Sequence, residues 1–336
     1  MVGFALVFPG QGSQVVGMGR DLSDSSAAAR LVFEEADAVL GYPLSRLCFC
    51  GPGDVLLQTE HAQPALLTAG VAAFAALRAS IGQSAPIAVA GHSLGEFTAL
   101  VAADALSFPD ALRLVAERGR LMGMAGEATP GTMLAVLGLA DEKVADVVNG
   151  ASSFGRLVLA NHNAPGQVVL SGERPAVDAA AKLAREAGAR RAVPLPVSGA
   201  FHSPLMRPAA EAFAAAIASA EIRDPRRPAI ANTTALPLRD AGAVRDELTR
   251  QLTGPVMWSD SVRALCDLGA RVFVELGPGA VLTGLVKRTI AGVSAVSAGD
   301  PGGIAAAAAL IADAAGSNDS PNDDVGGGQR AARSEQ

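Results

Sequence analysis

Cysteine is nearly missing: the 336 residues include only Cys48, Cys50 and Cys266. These make neither a disulfide framework nor a metal site, because Cys48 and Cys50 stand too close together and no second pair accompanies them. A reducing, cytoplasmic setting is expected. Aromatic residues are also scarce, at 4 %, with one tryptophan and one tyrosine. Positive charge is not in excess. The formal net charge of −6 argues against a nucleic-acid partner. No apolar run is expected to cross a membrane, since the alanine-rich stretch 304–312 is too short and too weakly hydrophobic. No basic, apolar leader precedes the first apolar run, and no long-range repeat is found.

What is present is a chain that is 50 % hydrophobic and rich in alanine and glycine. Its length allows one large domain or two modest ones. Such a composition suits closely packed α/β layers. The chain is organised around Ala90-Gly91-His92-Ser93-Leu94-Gly95-Glu96, a Gly-x-Ser-x-Gly pattern. An apolar run, 86–90, precedes it and a helix-like run, 96–103, follows. A sharp strand-to-helix turn needs glycines beside the serine, because the backbone is crowded there. The Ser93 hydroxyl is then exposed at the carboxyl end of a sheet.

Taken in order, the chain opens with an apolar strand, 3–8, and a glycine-rich loop, Pro9 to Gln14. The loop lacks the Lys-Ser/Thr of a phosphate-binding loop. Gln11 is better understood as a polar group beside a neighbouring strand end. Helices are predicted over 24–40 and 64–80, the second with Pro64 in its first turn. Ser107 and Asp110 predict a capped start to a third helix. From residue 131 the pattern changes to strand 132–139, helix 141–148, hairpin 157–161 and 167–171, helix 175–187 and strand 190–197. That βαββαβ order matches a ferredoxin-like unit inserted into the larger α/β pattern. The predicted organisation is a catalytic part, 1–129 and 198–312, a small subdomain, 130–197, and a disordered tail, 313–336.

Two residues stand out against this pattern. Arg118 falls in the middle of the apolar face made by Leu114, Val115, Leu121, Met122 and Ala125. A buried guanidinium is costly unless an anion accompanies it. Either an internal carboxylate pairs with it, or it is a socket for a carboxylate on a substrate. His202 sits just before a helix started by Ser203 and Pro204, whose N-terminal dipole disfavours imidazolium. Of the four histidines it is the best general base by elimination. His92 adjoins Ser93, where neighbouring side chains diverge.

Six motifs in order carry a family resemblance: Phe8-Pro9-Gly10-Gln11-Gly12-Ser13-Gln14; Gly91 to Glu96; Arg118-Gly119 before Leu121-Met122; Asn163-Ala164-Pro165-Gly166-Gln167; Ala200-Phe201-His202-Ser203; and Gln251 ahead of Pro255-Val256-Met257-Trp258. Over roughly 3–310 the sequence resembles the malonyl-CoA:acyl carrier protein transacylases, related to the acyltransferase domains of fatty acid and polyketide synthases. The resemblance implies an α/β-hydrolase-like core with a mainly parallel sheet and an inserted ferredoxin-like subdomain. It implies Ser93 as nucleophile and His202 as its base, oriented by backbone carbonyls, one of them from the Gln251 loop. The backbone N–H groups of Gln11 and Leu94 would form the oxyanion hole. Arg118 would clamp the malonyl carboxylate, and Gln63, His92 and Asn163 would line the pocket. Phe201 and Leu94 resemble the residues of malonyl-selective members.

The implied reaction is ping-pong transfer of malonyl from malonyl-CoA, through a malonyl-serine, to the phosphopantetheine thiol of an acyl carrier protein. It supplies extender units for fatty acid or polyketide synthesis. No cofactor and no metal is needed, because the CoA thioester is the substrate. A monomer is expected. Arg190-Arg191 and Lys287-Arg288 are the nearest basic clusters for an acidic carrier protein. The alternatives are a serine thioesterase or esterase on the same core, and a transacylase specific to polyketide synthesis or malonate decarboxylation. A hydrolase normally places an acid between the serine and the histidine in sequence, and no acid there occupies a recognisable strand-end position.

Overall fold

The computed structural model describes residues 3–316. Its ten strands are β1 (Gly3–Phe8), β2 (Ala88–Gly91), β3 (Thr132–Leu137), β4 (Leu157–Ala164), β5 (Gln167–Gly172), β6 (Arg191–Pro194), β7 (Ala229–Ile230), β8 (Pro237–Leu238), β9 (Ala270–Glu275) and β10 (Ser294–Ser297). They form a six-stranded sheet ordered β10-β9-β1-β2-β7-β8 and a four-stranded sheet ordered β4-β5-β3-β6. The first is parallel except for β8, and the second is antiparallel throughout.

Alternation along β1 shows why the large sheet is covered on both faces. Phe4, Leu6 and Phe8 enter one apolar cluster, and Ala5 and Val7 enter another on the opposite side. The small sheet packs Leu134, Val136, Val168 and Leu170 against the helices Asp141–Ala151 and Arg174–Glu186. Met133, Ala160 and Val169 on its other face join the larger core.

Several predicted elements shift. The helix expected over 24–40 is two, Arg20–Ser25 and Ala27–Leu40, because Ser26 breaks the run and caps the second through the Ala29 N–H. The helix expected over 64–80 begins five residues earlier, so Pro64 lies inside it. At 23 residues and a mean hydropathy of 1.5, Thr59–Ile81 is long and apolar enough to cross a membrane by length and composition alone, which corrects the sequence expectation. In this fold 67 % of its most apolar window is buried, against the helices Ala27–Leu40, Gly95–Ala102 and Phe108–Ala128 among others. Ser107 caps Phe108–Ala128 through the Asp110 N–H, while its own hydroxyl donates to the Asp110 carboxylate. The segment expected as a tail, 313–336, begins inside a helix, Pro301–Gly316. The rest of it, from residue 317, lies outside the described residues.

Candidate active site

Register builds the site. Phe8 on β1 is level with Gly91 on β2, so the loops after these two central strands leave side by side at their carboxyl ends. His92 N–H donates to Phe8 O (3.0 Å), holding the loops together. A side chain at Gly91 would put its Cβ 1.9 Å from the Gly95 carbonyl, and one at Gly95 would come within 2.1 Å of Phe8 O. Only glycine fits at either place. Ser93 between them has φ 52°, a left-handed conformation that non-glycine residues hold only when the surroundings impose it.

The surroundings include a residue that the sequence did not single out. Asn232, two residues beyond the end of β7, accepts from Ser93 N–H (2.6 Å) and donates to Gly91 O (2.7 Å) through its side-chain amide. A polar residue at a strand's carboxyl end was the signal for it.

His202 arrives from the other sheet, after β6, and also has a left-handed φ of 56°. Its Nδ1 lies 3.0 Å from Gln251 O and 3.1 Å from Gly254 O. Carbonyls only accept, so these partners place the ring proton on Nδ1. Nε2, 2.7 Å from Ser93 Oγ, is then the acceptor that a hydroxyl proton needs. Burial lowers the imidazole to about 3, and the Arg118 charge adds to the effect. Burial and Arg118 favour the neutral ring. The helix that follows is first a single 3₁₀ turn, Pro204–Met206.

Arg118 is 1 % exposed. Among the described residues no carboxylate lies within salt-bridge distance of it, so the internal ion pair that the sequence allowed is not formed. Its guanidinium donates instead to Gln63 Oε1 (2.7 Å), Gln251 Oε1 (2.9 Å) and Ser93 Oγ (3.2 Å), while Nε has no partner. The Phe97 ring lies 5.7 Å from its central carbon. Burial lowers the group to about 10, against the pull of Glu96, and it stays charged near neutrality.

Glu96 carried no assigned role in the sequence, although an acid opening the apolar helix Gly95–Ala102 was a legible oddity. It is fully buried. One carboxylate oxygen accepts from the Asn232 backbone N–H (3.0 Å), the other from Gln251 Nε2. Burial raises it well above the usual carboxylate range and nearby Glu247 adds to that, while the two donors and Arg118 oppose.

The other expected residues are spread around this centre. Gln63 Nε2 also donates to Met122 Sδ (3.3 Å). His92 Nε2 meets Asn163 Oδ1 at 2.8 Å, and its ring packs 5.7 Å from that of Trp258. Gln11 Nε2 donates to Thr59 Oγ1 (3.2 Å), which in turn meets Ser198 Oγ (3.4 Å) on the approach to His202. Among the described residues, no hydrogen bond within the protein engages the backbone N–H of Gln11 or Leu94. Phe201 is buried beside Gly199 and Met206. A separate cleft of 490 Å³ lies between Leu137, Gly138, Pro165, Gly166, Arg190 and Arg288. Among the described residues no group of three or more His, Cys, Asp and Glu side chains could hold a metal ion.

A hydroxyl hydrogen-bonded to a neutral imidazole, beside a buried cation lacking a carboxylate, suits acyl transfer on an anionic substrate. The family model for the acyl transferase domain matches residues 5–306. The chain is 44 % identical to the malonyl CoA-acyl carrier protein transacylase of Bacillus subtilis over 298 residues, 88 % of this chain and 93 % of that one. It superposes with a TM-score of 0.86 on the crystal structure of an acyl carrier protein S-malonyltransferase from Vibrio cholerae, at 43 % identity, covering 90 % of this chain and 99 % of the other. A malonyl-transacylase solved in complex with its type II PKS acyl-carrier protein matches with a TM-score of 0.88 at 40 % identity, covering 92 % and 99 %.

Proposed function

The chain belongs to the acyl transferase family, and from that premise we infer that it transfers malonyl from malonyl-CoA to the phosphopantetheine thiol of an acyl carrier protein. The observation that carries this reading is Arg118: a buried cation hydrogen-bonded to the same Ser93 hydroxyl that meets His202. Ser93 attacks the malonyl thioester while His202 Nε2 takes its proton. The N–H groups of Gln11 and Leu94, without hydrogen-bond partners among the described residues, receive the developing oxyanion. Arg118 binds the malonyl carboxylate, with Gln63 and Gln251 holding its fork. CoA leaves as the thiol, giving a malonyl-serine. The carrier thiol then attacks, His202 accepts its proton and returns it to the departing Ser93 oxygen, and the malonyl group leaves on the carrier sulfur. Two backbone carbonyls, and no acid, orient His202, which separates this arrangement from that of a serine thioesterase.

The strand orders fit an α/β-hydrolase-like core and a ferredoxin-like insertion. His92 and Asn163 line the pocket wall, and Phe201 and Leu94 limit the size of the acyl group. The reading needs no metal or bound cofactor and takes the chain as a cytoplasmic monomer. The test is transfer from malonyl-, methylmalonyl- and acetyl-CoA to holo acyl carrier protein, side by side. Malonyl is expected to dominate. Equal malonyl and acetyl transfer, or hydrolysis as fast as transfer, would reject the assignment.

A further inference from the structure

The structure assigns Glu96 as a positioning residue: its carboxylate fixes which way the Gln251 amide faces, and thereby keeps Arg118 in place for the malonyl carboxylate. The inference rests on the proposed malonyl transfer. Glu96 is separated by 136 residues from Asn232 and by 155 from Gln251, and it binds both. With its Nε2 held by Glu96 and by Ser93 O (2.9 Å), the Gln251 amide must turn Oε1 toward Arg118 Nη2 (2.9 Å). The backbone carbonyl of Gln251 also accepts from His202 (3.0 Å). One buried acid therefore sets the rotamer of the residue that touches the elbow, the base and the clamp.

The spacing also has a purpose. A carboxylate bonded directly to Arg118 would occupy the fork that the substrate requires. Glu96 stands one amide away. It compensates the buried cation through Gln251 without filling the socket. Both of its oxygens accept from N–H donors, as an ionised carboxylate does, and these donors together with Arg118 oppose the upward push of burial and Glu247.

Glu96→Gln is a near-isosteric test whose outcome follows from donor counting. The Asn232 backbone N–H cannot turn, so the new amide must offer it oxygen and present its NH₂ to Gln251. Gln251 then has to rotate and bring its own NH₂ against Arg118. The clamp loses an acceptor and Ser93 O loses the Gln251 N–H donor, while the Asn232 contacts to the elbow are kept. Expected is a fall in malonyl kcat/KM of roughly ten- to a hundredfold with acetyl kcat/KM within about threefold, so the malonyl-to-acetyl ratio falls at least about threefold. A purely structural role would lower both together and leave the ratio unchanged. Simple removal of a negative charge near the substrate carboxylate would raise the ratio. Either result overturns the assignment. Should Glu96→Gln give no cooperative melt, Glu96→Asp carries the test: it retains both acceptors at shorter reach, and the ratio is expected to fall several-fold, with an unchanged ratio again overturning the role. The unsubstituted protein in the same assay separates the two failures, because absence of malonyl transfer there rejects the function itself.

Discussion

The two sheets contribute to the site in opposite ways. The parallel sheet places Ser93 by local means: strand β2, two obligatory glycines and a helix start, all within a few residues. The antiparallel sheet delivers His202 by assembly. After β6 the chain returns to the centre, and the ring is oriented by carbonyls about fifty residues later, at 251 and 254 (|i−j| 49 and 52). Those carbonyls belong to a segment that edge strand β4 ties down, through Val256 N–H to Ala160 O (2.8 Å) and His162 N–H to Val256 O (2.9 Å). Ser93 is thus placed by a motif and His202 by a tertiary arrangement.

The largest expected effects treat the two halves alike. Ser93→Ala and His202→Ala should each lower malonyl transfer by about 10⁴-fold or more, and the double variant should be little worse than either, because they act as one unit. Single-turnover acylation with labelled malonyl-CoA measures this. A double variant whose losses multiply would mean that the two groups work independently, and would break the link between the halves.

Arg118→Ala comes next and concerns the residue shared by both halves. Malonyl kcat/KM should fall by about a hundredfold, the scale of a lost charge-assisted pair, while acetyl transfer persists or rises. Equal losses would show that Arg118 supports the Ser93–His202 geometry and does not read the acyl carboxylate.

This contrast also explains what the sequence disclosed. Strand β1, β2 and the elbow were legible because their determinants are neighbours in the chain. So was the βαββαβ order of residues 132–194, where turn residues and alternation are local. Arg118 was visible as an anomaly, but whether an acid paired with it depended on Gln63 and Gln251 reaching it from 55 and 133 residues away. Gly254 carried no local signal of its function, and Asn232 only its place just past a strand end. Helix ends around Pro64 and Ser26 were misplaced because capping and packing, not periodicity, decide them.

A third prediction compares His202 with an ordinary histidine. Its pKa is lowered from 6.5 to about 3 by burial and Arg118. A base works only when unprotonated, so malonyl kcat/KM should stay flat down to pH 5.5, where an ordinary imidazole would have lost about tenfold. An acid limb near 6.5 in the pH–rate profile would contradict this. Stability is a poorer probe. The depressed His202 contributes stability above pH 6.5 that is lost as pH falls toward 3. Glu96, raised in the fold, changes in the opposite sense as it takes up a proton above its unfolded value.

The smallest effect concerns a surface where the sheets meet. Arg190 precedes β6 of the small sheet, and Arg288 lies on the helix Val281–Thr289, which packs on β9 of the large one. Both line the 490 Å³ cleft with Pro165 and Gly166. The hairpin carrying those residues also carries Asn163, the partner of His92 beside Ser93. An acidic carrier protein meeting both arginines would bridge the two sheets and face the hairpin that leads inward. Reversing each charge, Arg190→Glu and Arg288→Glu, should raise KM for the carrier protein by about three- to tenfold together, the scale of exposed pairs. Added salt should blunt the difference. Acylation by malonyl-CoA alone should not change. If acylation slows as much as transfer, the arginines serve CoA and not the carrier. If neither step changes, the carrier docks elsewhere, and the small sheet's part in the reaction reduces to holding His202.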